Sequence, residues 1–211
     1  MERTTILGVA GGIGSGKSFV SDALVASGAV RFDADKEAKS LYTRGDFLEI
    51  LRARWSDAFD AQGVFVPGAL AKIVFENSSK GREELDFLNQ TVAPFLRVKY
   101  ELWRQELGVQ NVPLAVLDAP LLFEYGWDDK VDYVVFVDAS LPTRLRRAAA
   151  RGWRDGELER REACQLPLDF KKERSDFVVH TDRDDSRVPE QLQEILKQIR
   201  LDATAPSKES R

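Results

Sequence analysis

A run of glycines followed by a lysine and a serine is the part of this chain with the chemistry to bind phosphate. Residues 11–18 read Gly-Gly-Ile-Gly-Ser-Gly-Lys-Ser, a complete GxxxxGK(S/T) pattern. Glycines at 11, 12, 14 and 16 permit positive φ and let backbone N–H groups approach an anion closely. Lys17 supplies a cation for the β- and γ-phosphates, and the Ser18 hydroxyl is placed to hold Mg²⁺. The motif predicts a site for a nucleoside triphosphate and its magnesium ion.

The sequence on either side of this motif supplies the strand and the helix that such a loop requires. The apolar run 6–10 precedes it, and helical spacing follows it as far as Gly28, which suits the C′ position of a helix. A helix that begins near Lys17 points its positive dipole end at the loop. The residues that we expect to bind ATP are Gly12, Ile13, Gly14, Ser15, Gly16, Lys17, Ser18 and Phe19.

Length and composition narrow the class of protein. A chain of 211 residues can form one α/β domain with an inserted substructure. The one cysteine excludes an intrachain disulfide and a multi-cysteine zinc site, so we expect the cytoplasm. The formal charge of −4 argues against a general nucleic-acid binder, and the apolar runs are too short to cross a membrane. We therefore expect no nucleic acid and no membrane as partners, and a monomer or a small homo-oligomer.

Short apolar strands alternate with helical segments, a pattern typical of a doubly wound parallel sheet. Acidic residues recur where the strands end, which is the edge at which open α/β sheets bind ligands. The fold class is therefore α/β, with a five-stranded doubly wound parallel sheet, an inserted all-helical substrate domain and a helical lid. The predicted strands are Thr4–Ala10, Ala29–Phe32, Leu114–Leu117, Tyr133–Val137 and Phe177–Val179.

About eighty residues separate the second and third strands, far more than a simple crossover needs. Their spacing is helical throughout, and the longest helix has a wide apolar stripe that core packing explains better than a ligand site does. The stripe consists of Leu85, Leu88, Val92, Phe95, Leu96, Tyr100 and Trp103. We assign 1–35 and 111–201 to the nucleotide-binding core, 36–110 to a helical acceptor-binding insert, and 202–211 to a disordered tail.

Positive charge is concentrated in residues 144–174 of this acidic chain, with ten Lys or Arg against six Asp or Glu. Arg144, Arg147 and Arg151 fall at i, i+3 and i+7, on one face of a predicted helix. A solvated helix face explains such a run equally well. A polyphosphate site nevertheless gives these arginines an anion to bind. We expect 147–166 to be a lid that is mobile without ligand and that closes Arg147 and Arg151 over the transferring phosphate.

The sequence excludes several classes of P-loop protein. A signalling GTPase carries Asn-Lys-x-Asp and Asp-x-x-Gly, yet none of Asn77, Asn89 and Asn111 precedes a lysine, and Asp118 is followed by Ala-Pro-Leu. Motor and transporter ATPases need a longer chain. A small-molecule kinase remains, with the core, the helical acceptor domain and the arginine-bearing lid in the right order.

At five places the sequence resembles the dephospho-CoA kinase family. The similarity extends over about residues 4–200, and its most specific elements are Asp-Ala-Asp and Pro-Leu-Leu-Phe-Glu. The resemblance implies a P-loop kinase-like fold and transfer of the ATP γ-phosphate to the ribose 3′-hydroxyl of dephospho-CoA, the last step of coenzyme A biosynthesis. The similar segments are 11–18, 32–35, 116–124, 161–168 and 171–178.

The resemblance also implies roles for individual residues. Asp35 corresponds to the family's proposed base, and we expect it at the carboxyl end of the strand beside the P-loop. Asp33 either caps the following helix or positions Asp35. Asp118 ends a strand as a Walker B carboxylate does and is expected to reach Mg²⁺ together with Ser18, with a structural role as the alternative. The expected catalytic residues are Asp35, Lys17, Arg147 and Arg151, and the expected substrate-binding residues are Asp33, Asp35, Pro120, Leu121 and Leu122.

Two other functions stay open. Ala93 and His180 differ from the residues usual in the family, which leaves room for a P-loop kinase that acts on another nucleotide or a small alcohol. The other is a catalytically weak, nucleotide-binding regulatory protein, against which the retained Lys17, Ser18 and Asp35 argue. The partners we expect are ATP, dephospho-CoA and Mg²⁺.

Overall fold

A computed structural model describes residues 3–182 and 185–204 of the chain. Its strands are β1 (Thr5–Gly11), β2 (Val30–Asp33), β3 (Leu114–Asp118), β4 (Tyr133–Asp138) and β5 (Phe177–His180). They form one sheet in the order β2-β3-β1-β4-β5, in which β1 pairs in parallel with β3 and β4, and β4 in parallel with β5. Each strand lies within one residue of its predicted bounds, and the α/β fold class is confirmed.

The α-helices alternate with the strands along the chain, and those between β2 and β3 make up the inserted segment. The first α-helix, α1, begins at Lys17 as predicted, and Gly28 follows its end with φ 99°. The α-helices are α1 (Lys17–Ala26), α2 (Ala34–Leu41), α3 (Gly45–Arg54), α4 (Pro67–Val74), α5 (Ser79–Val109), α6 (Leu141–Ala150), α7 (Glu157–Glu162), α8 (Leu168–Glu173) and α9 (Val188–Thr204).

The central strands are apolar on both faces because helices cover the sheet on two sides. Strand side chains from β1, β3, β4 and β5 share one buried cluster with apolar side chains of α1 and α9. This packing fixes the carboxyl end of β1, from which the phosphate-binding loop leads into α1. The central members of the cluster are Leu7, Val9, Val20, Leu24, Val116, Val135, Val137, Val179 and Leu192.

The prediction that Asp35 ends the strand beside the P-loop is wrong in two respects. The neighbour of β1 on that side is β3, and Val9 of β1 is in register with Asp118. Strand β2 ends at Asp33, and the Asp33 carboxylate accepts the Lys36 N–H at 2.9 Å, which starts α2 before Asp35 is reached. Asp35 therefore lies in the first turn of a helix. The order of parallel strands depends on their crossovers, which local sequence does not specify.

The chain divides into two compact units, one of Met1–Phe32 with Leu107–Arg211 and the other of Asp33–Glu106. The second unit is helical apart from one antiparallel bridge between Phe59 and Phe65. The predicted boundaries at 35/36 and 110/111 lie near these divisions.

The helical unit has its own core, which is rich in aromatic rings. Phe47 meets Phe95 edge-on with the ring centroids 5.3 Å apart, and Tyr42 stacks on Phe65 at 5.0 Å. Leu88 of the predicted apolar stripe is buried in this core. Its neighbours Leu85, Val92 and Phe95 pack against the same cluster, so the interpretation of this part of the stripe as core is confirmed.

No helix among residues 3–182 and 185–204 is long and apolar enough to cross a membrane. Helix α9 continues through residues 202–204, the first positions of the predicted disordered tail. The remainder of that tail lies outside the described residues.

Candidate active site

The phosphate-binding loop takes its shape from glycines that no other residue can replace without strain. Gly11 has φ 145°, and a Cβ there would lie 2.5 Å from the carbonyl oxygen of Val137. Gly14 has φ 76°, and a Cβ there would lie 3.0 Å from the carbonyl oxygen of Arg144. Gly16 has φ 100° and caps α1, so three of the four motif glycines adopt positive φ.

Lys17 spans the loop from the first turn of α1. Its Nζ donates hydrogen bonds to the carbonyl oxygens of Gly11 at 2.9 Å and Gly12 at 2.8 Å. Burial of the ammonium lowers the pKa of Lys17 from 10.5 to about 8. The cation is therefore positioned before any phosphate arrives, and a phosphate adds the negative charge that favours its protonated form.

Four charged side chains surround the Lys17 ammonium closely enough to shift its pKa. Lys171 and Arg151 lower it, whereas Asp118 and Glu162 raise it. This brings together three residues predicted for the site (Lys17, Asp118 and Arg151) with two that the sequence analysis did not select. Arg151 follows the last residue of α6 and is exposed, a position from which its long side chain has room to reach a ligand.

Arg147 supports the loop through hydrogen bonds to its backbone carbonyl oxygens. Its Nη1 donates to the carbonyl oxygens of Gly14 at 3.2 Å and Ser15 at 3.0 Å, and its Nη2 donates to the carbonyl oxygen of Thr181 at 2.7 Å. Arg147 lies within α6. In this structure its guanidinium supports the loop, and its predicted movement onto the phosphates stays a prediction.

Thr181 is a loop-supporting residue that the sequence analysis missed. Its hydroxyl donates to the carbonyl oxygen of Ser15 at 2.5 Å, and its backbone N–H donates to the carbonyl oxygen of Asp138 at 3.0 Å. It is buried directly after β5, at the same sheet edge as the loop. Its place after a predicted strand was the available signal, because the carboxyl ends of parallel strands meet at one edge.

The predicted lid segment 147–166 contains the short helix α7. The Glu162 carboxylate at its end accepts the Ile13 N–H of the loop at 3.2 Å and forms an ion pair with Arg144. Gly12 leaves space for this pair, since a Cβ there would lie 3.0 Å from Glu162 Oε1 and 3.1 Å from Arg144 Nη1. The lid therefore contacts the loop directly in this structure.

A second buried ion pair lies beside the loop. Lys171 of α8 is 2% exposed, and its Nζ lies 2.6 Å from Glu124 Oε1 and donates to Gln165 Oε1 at 3.1 Å. The same Glu124 oxygen accepts the Leu166 N–H at 3.0 Å. This pair joins the Pro-Leu-Leu-Phe-Glu segment to the end of the predicted lid and places a fixed cation near Lys17.

Ser18 and Asp118 offer the hard oxygen ligands that Mg²⁺ prefers. Ser18 lies in the first turn of α1, and Asp118 ends β3 with 14% of its side chain exposed and Arg31 Nη1 3.9 Å from Oδ2. Within the described ranges no three His, Cys, Asp or Glu side chains are grouped to hold a metal on their own. These residues fit a magnesium ion that takes its other ligands from phosphates and water, as Mg²⁺ in kinases does.

The remaining predicted residues differ in their surroundings. Leu122 is buried, and a Cβ on Gly8 would come within 2.9 Å of its side chain, so Leu122 packs on β1. Pro120 and Phe19 are exposed and Leu121 is half-buried. Their contacts with ATP or an acceptor, like those of Asp33 and Asp35, stay predictions.

A loop of this sequence between β1 and α1, in a five-stranded sheet with an inserted helical unit, defines the P-loop kinases of small molecules. The family model described as dephospho-CoA kinase matches residues 5–186. The chain belongs to the dephospho-CoA kinase family. It is therefore a P-loop kinase, as the resemblance of its motifs predicts.

Individual relatives agree with this assignment. A dephospho-CoA kinase of Geobacter sulfurreducens is 36% identical over 203 residues, which cover 92% of this chain and 96% of the relative. A solved protein from Thermus thermophilus has a TM-score of 0.78 at 31% identity and covers 94% of this chain and 99% of its own. Dephospho-CoA kinase from Campylobacter jejuni shares the fold, with a TM-score of 0.65 at 21% identity and coverage of 92% and 96%.

Proposed function

We propose that the chain transfers the γ-phosphate of ATP to the ribose 3′-hydroxyl of dephospho-CoA, the last step of coenzyme A biosynthesis, with Mg²⁺ and in the cytoplasm. The observation that carries the proposal is the match to the dephospho-CoA kinase family over residues 5–186. A loop with Lys17 already in place and two further cations near it supports phosphoryl transfer as the reaction.

In this proposal the loop and Lys17 hold the β- and γ-phosphates, and Ser18 and Asp118 bind the metal directly or through water. The magnesium ion would neutralise charge that develops between the phosphates. Arg151 adds positive charge around the transferring group, where preorganised charge lowers the barrier, whereas the charge of Lys171 is largely balanced by Glu124. Little covalent chemistry is left for the protein, because such transition states are loose.

Asp35 is the proposed base that accepts the proton of the acceptor hydroxyl. Its support is its place in the Asp-Ala-Asp segment, which matches the family motif, and its position in the first turn of α2. Asp33 is the N-cap of that helix and fixes the backbone that carries Asp35. The cap is one of the two roles predicted for Asp33, and the positioning of Asp35 through it is part of this proposal.

Turnover with dephospho-CoA, measured beside a panel of nucleosides and small alcohols, tests this function. We expect ADP and a product phosphorylated at the ribose 3′ position, identified by ³¹P NMR, only with dephospho-CoA and only when Mg²⁺ is present. Lys17→Ala is the matched control for contaminating kinases. Faster turnover of another acceptor would instead support the different-kinase alternative, and ATP binding without turnover of any acceptor would support the regulatory one.

A further inference from the structure

The Glu162 carboxylate lies where an anion bound to the P-loop would lie. It accepts the Ile13 N–H at 3.2 Å and pairs with Arg144. It is also one of the two carboxylates close enough to Lys17 to raise the pKa of that ammonium. A backbone amide and an arginine thus converge on one negatively charged group within electrostatic range of the P-loop lysine, and that group belongs to the protein itself.

Arg144, the cation of this pair, cannot move away from the loop. Its side chain is 7% exposed, and its Nε donates to the carbonyl oxygen of Ala139 at 3.2 Å. Its backbone also lies against the loop, since a Cβ on Gly14 would lie 3.0 Å from the Arg144 carbonyl oxygen and 3.4 Å from its Cα. Glu162, by contrast, ends the six-residue helix α7, and 20% of its side chain is exposed. Of the two partners, Glu162 is the one that can leave.

A nucleotide phosphate and the Glu162 carboxylate cannot occupy this place together. The phosphate brings further negative charge to Lys17, and like charges at close range repel strongly in a partly dehydrated site. If Glu162 leaves, however, Arg144 stays behind as a buried cation, and a buried charge without a partner is strongly unfavourable. An incoming phosphate removes this penalty if it takes the position of the carboxylate.

We propose that Arg144 is a phosphate-binding residue of the ATP site and that Glu162 is its internal substitute in the nucleotide-free enzyme. Arginine suits both partners because its guanidinium binds carboxylate and phosphate with the same two-pronged geometry. ATP then competes with Glu162 for Arg144, and its binding releases α7 from the loop. The inference rests on the proposed function only in that the P-loop binds ATP.

The test is a set of ATP dissociation constants measured by calorimetry on the full chain, with Mg²⁺ and without acceptor. Glu162→Gln removes the negative charge that competes with ATP for Arg144. We expect ATP to bind roughly tenfold more tightly, because ATP no longer has to break a hydrogen bond between two charged groups. Glu159→Gln is the matched control, because it makes the same change at an exposed position on the same helix. Equal affinity in Glu162→Gln and the parent chain would show that the carboxylate does not compete.

The decisive comparison is made in the Glu162→Gln background. There Arg144→Gln should weaken ATP binding by at least about tenfold, the loss expected for a hydrogen bond to a charged group. If Arg144 only neutralises Glu162, the double variant and Glu162→Gln will bind ATP equally, and the proposal is wrong.

Thermal melting checks that the variants fold. If the double variant does not, Glu162→Gln with Arg144→Lys replaces it, because lysine keeps the charge but loses the fork. We then expect weakening by about threefold or more relative to Glu162→Gln, and equal affinity would contradict the proposal. Because no acceptor is present, these outcomes do not depend on whether dephospho-CoA is the substrate.

Discussion

The loop region and the helical unit are each stabilised internally, by two different kinds of contact. Around the P-loop, charged side chains donate to backbone carbonyl oxygens, as Lys17 does to Gly11 and Arg147 does to Ser15. In the helical unit, aromatic and aliphatic side chains such as Phe47 and Leu51 fill a common core. Directional contacts fix where individual atoms lie, whereas a core of many rings fixes only that the helices stay packed. Substitutions should therefore affect activity in the first region and stability in the second.

The largest effect should come from Lys17→Ala. It removes the positioned cation from the loop, and we expect kcat to fall by about three orders of magnitude, as for loss of one preorganised group at a developing charge. The melting temperature should stay within a few degrees of the parent value, because the cost of burying the ammonium offsets part of the stability that its two hydrogen bonds contribute. Steady-state kinetics and calorimetry measure the two quantities. Near-normal kcat in a folded variant would contradict the proposed mechanism.

Asp35→Asn should have the next largest effect. Loss of a general base lowers kcat by roughly two orders of magnitude or more, while ATP affinity should change little. Asp33→Asn separates the roles of the two carboxylates, because asparagine also caps a helix. We expect a much smaller fall in kcat there, and a rise in the KM for the acceptor would report the predicted contact of Asp33 with it. A large loss of ATP binding with little loss of kcat would identify Asp35 as a nucleotide ligand instead.

Trp55→Phe tests the expectation that substitutions in the helical unit affect stability rather than activity. The Trp55 indole donates to Glu84 Oε2 at 2.8 Å inside the helical unit, and its removal leaves a buried carboxylate oxygen with one donor fewer. We expect the free energy of unfolding to fall by about 2 kcal/mol. The ATP dissociation constant should not change. Urea unfolding measures the free energy of unfolding, and calorimetry measures the ATP dissociation constant. Weaker ATP binding by the folded variant would show that Trp55 also affects the nucleotide site.

Thr181→Val should have a smaller effect, and on the loop alone. The substitution removes the hydroxyl that donates to the Ser15 carbonyl oxygen and accepts from Arg147 Nη1 at 3.1 Å. We expect ATP to bind about tenfold more weakly, the effect of one net hydrogen bond on the geometry of the loop. His180→Gln changes the adjacent, exposed residue and should leave affinity unchanged. Equal affinities for both variants would show that the loop holds its shape without Thr181.

The smallest expected effect is on the number of protons that the protein takes up when ATP binds. The pKa of Lys17 is about 8 in the free protein, and bound phosphates should return it toward its ordinary value. Most free enzyme at pH 9 then has a neutral Lys17, so ATP binding should take up nearly one proton, whereas binding at pH 7 should take up almost none. Calorimetry in buffers of different ionisation enthalpy measures this uptake, and Lys17→Met should abolish it. The same uptake in that variant would assign the proton to another group.

The sequence predicted much of the fold because its signals are local. Short apolar runs between helical segments predicted every strand to within one residue, and the glycines with Lys17 predicted the loop and the start of α1. The position of Asp118 beside β1 was not predicted, since strand order depends on crossovers rather than on spacing. The same reason applies to Thr181 and Glu162, which reach the loop across more than a hundred residues of chain. Contacts between residues so far apart in the chain leave no periodic pattern in the sequence from which they could be predicted.

The position of Arg147 has a consequence for the loop's peptide groups. Each carbonyl oxygen that accepts from the guanidinium, those of Gly14 and Ser15, belongs to the same peptide unit as the next residue's N–H. A cation at the oxygen end draws electron density along the amide and makes the N–H at the other end a stronger donor. The Ser15 N–H already donates to the Gly12 carbonyl oxygen at 3.2 Å, so Arg147 can act on a phosphate without touching it through the peptide unit between Ser15 and Gly16. The arginine therefore strengthens a hydrogen-bond donor of the phosphate-binding loop in addition to the positive charge that it brings.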